Sequence, residues 1–158
     1  VSGIVHQASA VAIDGRALLI EGPPGSGKSS LTLALIERGA GLIGDDAVTL
    51  MALDGYLLAS PPPNIAGLLE IRGVGLATLP LAPPAPVALV LALGERPGAR
   101  LPEAPLPMRI IAGVPVPVLA FDPGSIAPAE RALWALRLHG LVFKPASLCA
   151  PDAQDGRP

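Results

Sequence analysis

Lysine is almost absent from this chain: Lys28 and Lys144 are the only two in 158 residues. Acidic residues slightly outnumber basic ones, for a net charge of -2. The basic stripe that holds nucleic acid is therefore missing, and no nucleic-acid partner is expected. Cysteine is represented by Cys149 alone, which excludes an internal disulfide framework or a thiolate metal cluster and fits a reducing compartment. Long hydrophobic runs are also missing. The longest clean one, Val87 to Leu93, is far short of the roughly 18 residues of a membrane span and reads as a buried strand. The first residues carry neither the basic nor the apolar block of a signal peptide. The expectation is a cytoplasmic protein without a membrane partner.

What the chain has is apolar mass: 51% of its residues are hydrophobic, enough for a core in a chain the size of one domain. Its 20 prolines and 18 glycines approach the share seen in disordered chains, but the abundant Leu, Val and Ile argue for a folded unit. Short apolar runs at 9–13 and 17–20 flank Asp14-Gly15, a two-residue hairpin signal. A similar hairpin is predicted over 48–59 around Asp54-Gly55. A helix rich in Leu and Ala is predicted over 29–38, apolar almost all round and so buried, with Gly39 as its stop. Further strands are expected at 41–44, 87–93, 108–112 and 116–121, the last two around a proline-spaced turn. One helical turn is expected near 66–69, and a final helix over 128–139 with Pro128 in its first turn. The proline-rich stretches 79–86 and 97–107 read as surface connections, because strands resume after each. The fold class is α/β, a main sheet with flanking hairpins in one domain over 1–143, followed by a flexible tail over 144–158.

Chemistry concentrates at Gly22-Pro23-Pro24-Gly25-Ser26-Gly27-Lys28-Ser29, a full match to the pattern that cradles a triphosphate. Glycines there allow successive N–H groups to converge on one anion, and the helix that follows adds its N-terminal dipole. Pro23 and Pro24 have no N–H, so the donors run from Gly25 to Ser29, with Ser30 beside them. Lys28 is placed to reach the outer phosphates and Ser29 to ligate Mg²⁺. A nucleotide such as ATP with Mg²⁺ is the implied ligand. A strand before the loop and a helix after it complete the context.

Two acidic features lie downstream. Asp45-Asp46 ends the strand at 41–44, whose C-terminal end faces the phosphates if it lies beside the strand that feeds the loop. One aspartate there can hold Mg²⁺ and the other can accept the proton of an attacking hydroxyl. Adjacent residues of extended chain point opposite ways, so their roles should differ. A solvated acidic turn is the plain alternative. Glu70-Ile71-Arg72-Gly73 sets a carboxylate and a guanidinium two apart in an apolar stretch, where buried charges need partners. Glu70 is a candidate metal ligand and Arg72 a candidate for a phosphate or carboxylate. The alternative is a structural Glu–Arg pair at a sheet end. His6 stands before the first hairpin, where a lone histidine is ordinarily structural. His139 reads as a favourable cation at a helix end, and Trp134 and Cys149 read as structural.

Taken in order, Val5-His6, the loop from Gly22 to Ser29, Leu42-Ile43-Gly44-Asp45-Asp46, Leu69-Glu70-Ile71-Arg72-Gly73-Val74-Gly75 and Pro115-Val116-Pro117-Val118 resemble the catalytic domain of bacterial HPr kinase/phosphorylase. The resemblance implies a fold related to phosphoenolpyruvate carboxykinase. It implies ATP-dependent phosphorylation of a serine on the phosphocarrier protein HPr, and the reverse attack by inorganic phosphate. By the same resemblance Asp45 is the general base, Asp46, Glu70 and Ser29 surround Mg²⁺, His6 sits near the reacting phosphate, and the assembly is a hexamer. The stretch after Gly75 is short and proline-rich, and Phe121-Asp122-Pro123-Gly124-Ser125 stands where the family has Pro-x-x-Gly-Arg-Asn. Both look like the short form found in alphaproteobacteria. A small-molecule kinase or NTPase, or a nucleotide sensor without turnover, are the alternatives on the same cradle.

Overall fold

Three turns dictate three hairpins. Asp14-Gly15, Asp54-Gly55 and Ala112-Gly113 each place two successive residues at positive φ (51° and 79°, 50° and 86°, 50° and 82°). This is the two-residue geometry whose twist matches the strands it joins. In the computed structural model, which describes residues 3–63, 67–95 and 100–143, the first turn joins β2 (Ser9–Ile13) to β3 (Arg16–Glu21). With β1 (Ile4–His6) and β4 (Gly41–Gly44) placed around them, the second turn joins β5 (Val48–Leu53) to β6 (Tyr56–Ser60). Beyond β7 (Leu68–Ile71), β8 (Gly75–Thr78) and β9 (Ala85–Ala92), the third joins β10 (Met108–Ile111) to β11 (Val114–Ala120). The helices are α1 (Lys28–Ile36) and α2 (Pro128–His139).

Two local expectations change. The turn between β10 and β11 is Ala112-Gly113, and the prolines thought to space it lie inside β11. They are tolerated for a backbone reason. Val118 donates its N–H to Pro107 O at 2.9 Å, so Pro115 and Pro117 fall on the alternate positions that turn away from β10, before β11 meets β9 at Val118. The helical turn expected over 66–69 is instead the start of β7. Short apolar runs do not separate helix from strand by period, and β7 is fixed by antiparallel pairing with β8 from Leu68↔Thr78 to Ile71↔Gly75. Ala66 and the tail expected over 144–158 lie outside the described residues.

The main sheet has the order β1-β5-β6-β9-β3-β2-β4, with β11 on β9 and β10 on β11. β3 and β11 both run parallel to β9, which makes the sheet mixed. Strand β3 alternates faces: Ala17 and Leu19 pack with Leu50, Leu57 and Val116 on one side, and Leu18 and Ile20 pack with Leu31, Leu35 and Leu136 on the other. Both helices thus cover one face, and the β5–β6 hairpin helps fill the other. Burial on both faces explains the continuous apolar run of β9. Helix α1 is buried at Leu31, Thr32 and Leu35 and half-buried at Leu33, Ala34 and Ile36. It ends where Gly39 takes φ 101°, with Ala40 N–H donating back to Leu35 O.

Strand β4 is not next to β3, as the spacing suggested. It pairs antiparallel with β2, which pairs antiparallel with β3. Two reversals leave β4 pointing the same way as β3, so the acidic pair and the glycine loop still emerge at one end of the sheet. This is the end outside the carboxyl termini of the parallel strands, where open α/β sheets hold ligands.

Candidate active site

The loop from Gly22 to Ser29 leaves β3 and runs into α1, which begins at Lys28. A side chain at position 22 would bring its Cβ to 2.5 Å from Ser26 Oγ and 2.9 Å from Leu93 O, so only glycine fits there. Gly27 caps the helix at φ 100°, a conformation that other residues adopt at a cost. The first N–H groups of α1 have no partner within the helix and point out of its end. Ser26 Oγ is buried and makes no hydrogen bond, the only such side-chain atom among the described residues. Lys28 folds back over the loop, its Nζ donating to Gly22 O at 2.7 Å and Pro23 O at 3.3 Å. An ammonium, helix-end N–H groups and a buried hydroxyl left over are what an anion site needs.

The acidic pair divides, although through a turn and not by strand alternation: both residues lie beyond the end of β4. Asp45 is half-buried and turns inward, where its Oδ1 accepts from Ser29 Oγ at 2.9 Å and from Ser9 Oγ at 2.9 Å. Asp46 is exposed, takes φ 66°, and lines the cleft over the loop. Its N–H donates to Ser9 Oγ at 3.2 Å. Ser9, wholly buried, therefore pins both aspartates. It went unread in the sequence, although a serine opening an otherwise apolar strand is the available signal. The turn itself is tight: a Cβ on Gly44 would lie 2.3 Å from Ala47 O.

Glu70 and Arg72 stand across the cleft, which encloses about 740 Å³ between Gln7, the loop, Leu33, Asp46 and the β7 end. They are not the buried pair that the apolar surroundings suggested. Both are exposed, because the inward face of β7 belongs to Leu69 and the charges fall on its rim. Water solvates them, so neither needs the other as a partner.

His6 is not among the residues lining the cleft, although its neighbour Gln7 is, and it stands beside Glu21 at the foot of the loop. Its Nε2 is 2.6 Å from Glu21 Oε2, and Glu21 Oε1 accepts from Arg109 Nη1 at 2.6 Å. Burial pushes the Glu21 carboxyl up, but the hydrogen bonds and charges of His6 and Arg109 outweigh it and hold the group below its usual range. Glu21 and Arg109 were also missed in the sequence. The signal for Glu21 was a charge closing the strand that feeds the glycines, whereas Arg109 is 88 residues away and meets it only through the fold.

A magnesium ion fits this donor set in one way. No three His, Cys, Asp or Glu side chains come together as a cage among the described residues. The available donors are the Ser29 hydroxyl and the Asp46 and Glu70 carboxylates around the cleft. Mg²⁺ typically takes one or two carboxylates plus phosphate oxygens and water, which this arrangement suits. Volume alone does not single the cleft out. A second depression of about 770 Å³ lies between residues 100–107, β11 and α2, but it is largely apolar and has no phosphate cradle. No helix among the described residues is long and apolar enough to cross a membrane.

The chain is similar to an HPr kinase/phosphorylase of Clostridium tetani, 43% identical over 70 residues, which cover 44% of this chain and 23% of that protein. It is also similar to one of Clostridium botulinum, 47% identical over 66 residues, covering 42% of this chain and 22% of that protein. The chain thus spans about a quarter of the length of these curated relatives. A solved structure, the Hpr(Ser) kinase/phosphatase from Coxiella burnetii, superposes over 85% of this chain and 97% of its own, with a TM-score of 0.71 and 29% identity. The family model for the HPr Serine kinase C-terminal domain matches residues 2–80, a half of the chain that holds the cradle, the acidic turn and the β7 rim. With half of the chain matched by that family model and the fold shared with a solved relative, the chain belongs to the HPr serine kinase C-terminal domain family.

Proposed function

We propose that this domain transfers the γ-phosphoryl group of ATP to a serine hydroxyl of an HPr-like phosphocarrier protein. The observation that carries the reading is the hydrogen bond from Ser29 to Asp45, which ties the last residue of the cradle to the acidic turn. In the reaction the cradle N–H groups and Lys28 bind the phosphates, with Lys28 exchanging its carbonyl partners for phosphate oxygens. Ser29, Asp46 and Glu70 would hold Mg²⁺, which supplies charge neutralisation at the transferring group. Both hydroxyl bonds to Asp45 end on Oδ1, and its other oxygen accepts the proton of the incoming serine hydroxyl. In the reverse direction Asp45 returns that proton while inorganic phosphate attacks phosphoserine. His6 stands near the reacting phosphate, and the exposed Arg72 meets an anionic group of the partner. The names of the relatives support HPr as acceptor, and the same reading makes the protein a cytoplasmic homo-oligomer.

The test is incubation with labelled ATP, Mg²⁺ and HPr from the same organism. Label on a serine of HPr is the expected result. ATP binding without label on HPr rejects the reading. Phosphate release indifferent to HPr would point instead to a small-molecule kinase or NTPase, and binding with no turnover of any kind to a nucleotide sensor.

A further inference from the structure

Glu21 occupies an awkward place. A carboxylate one residue before an anion cradle repels the anion, unless something neutralises it or uses it. Its backbone is fixed: Glu21 pairs with Ala92 in the register of β3 on β9, and its carbonyl accepts from Leu93 N–H at 2.7 Å. Its side chain is only 16% exposed, against 27% for His6 and 38% for Arg109. Both carboxylate oxygens are occupied, one by His6 and one by Arg109. Three separate strands, β1, β3 and β10, thus meet at the base of the loop.

We infer that Glu21 is a positioning residue for His6: it fixes the imidazole in the tautomer with hydrogen on Nε2, and is itself neutralised by Arg109. The chemistry follows from the contact. An ionised carboxylate only accepts, so the 2.6 Å bond requires hydrogen on Nε2 in both the neutral and the protonated ring. In the neutral ring Nδ1 is then left as the acceptor. A held carboxylate orients an imidazole in just this way where proton transfer depends on the tautomer. Arg109 has a separate duty. With it, Glu21 presents little net charge to the phosphates. Without it, the carboxylate opposes them. The inference rests on the proposed placement of His6 near the reacting phosphate only for its kinetic consequence, not for the tautomer.

The test separates the two. The chain has two histidines, so ¹⁵N-labelled protein carrying His139→Gln leaves one imidazole to observe by NMR, without nucleotide or acceptor. In the neutral ring the Nε2–H tautomer is expected. Glu21→Gln should release it to a mixture, and Glu21→Ala more so. In the transfer assay Glu21→Gln should lower kcat by at least about 10-fold with the KM for ATP within about 2-fold, and change the pH profile. Arg109→Gln should instead raise the KM for ATP. A neutral ring with hydrogen on Nδ1 in the unaltered protein overturns the inference without any variant. A tautomer unchanged in both Glu21 variants overturns it as well. A fixed Nε2–H tautomer that Glu21→Gln releases, in a protein that never phosphorylates HPr, would uphold the inference and reject the kinase reading alone.

Discussion

Asp45→Asn isolates the chemical step from the architecture. The asparagine oxygen has the same position and can still accept from Ser9 and Ser29, the two hydroxyls 2.9 Å from Asp45 Oδ1. What is lost is the negative charge and, with it, the capacity to take a proton. Two charge-assisted bonds become neutral ones, a change of about 1 kcal/mol each at most in a half-buried site. The variant should therefore fold, with a small fall in melting temperature, and bind ATP nearly as before. Removing a general base typically costs about 10²–10⁴ in rate, or about 3–5 kcal/mol of transition-state free energy. The assay is initial-rate phosphorylation of HPr under saturating ATP and Mg²⁺, beside a calorimetric ATP titration. Transfer within about 3-fold of the unaltered protein, with ATP bound normally, refutes the role of Asp45 as base. Equal loss of ATP affinity and of rate would mean that the charge serves the metal through Ser29 and not the incoming hydroxyl.

Ser9→Ala leaves the Asp46 N–H and one acceptor site of Asp45 without their partner at a fully buried position. A loss of about 1–3 kcal/mol is expected by chemical denaturation, with a lower transfer rate, and a change under about 0.3 kcal/mol would contradict the pinning role. Gly22→Ala forces a Cβ toward Leu93 O at 2.9 Å, which a backbone atom cannot vacate. Thermal melting with and without ATP should show a loss of about 1–3 kcal/mol and a smaller shift on adding nucleotide. Ser29→Ala should raise the Mg²⁺ concentration needed for half-maximal transfer by roughly 10–100-fold, read by a metal titration at fixed ATP. Because the folded Glu21 carboxyl titrates below its usual range, its contribution is present above the unfolded carboxylate pKa and is lost as pH falls through the folded one. Denaturation of the unaltered protein and Glu21→Gln should thus differ most near neutrality and converge in acid. A gap that widened in acid would reverse the sign.

Much of this fold was legible because its signals are local. Asp14-Gly15 and Asp54-Gly55 announce hairpins through two residues, the cradle through eight, and Pro128 opens α2 as expected. The failures share a cause. Period alone did not tell β7 from a helical turn, and proline content misplaced the turn that Ala112-Gly113 makes, since alanine carries no turn signal. Apolar neighbours suggest burial for the charges of the β7 segment, yet burial depends on which face of the strand packs inward. In the candidate site, each residue proposed from the sequence, His6 apart, belongs to a contiguous motif. Those missed, Ser9, Glu21 and Arg109, act through partners 15 to 88 residues away, and such pairings exist only once register is set.

Register also explains how one hairpin serves two ends of the chemistry. In the β2–β3 pair, Ser9 lies opposite Ile20, so Ser9 and Glu21 both stand at the open end, farthest from the Asp14-Gly15 turn, but on opposite faces of the sheet. Ser9 holds the acidic turn, and Glu21 holds His6 and Arg109. Side chains alternate faces along a strand, and a slip of one residue would send both groups to the wrong face. The apolar alternation of β3 forbids that slip, because it would also move Leu19 and Ile20 out of their respective cores. The packing that stabilises the sheet therefore aligns the groups around the cradle. A substitution that loosens this register, such as one disturbing the Asp14-Gly15 turn about 5 residues away on each strand, should disturb Asp45 and His6 together, although it touches neither.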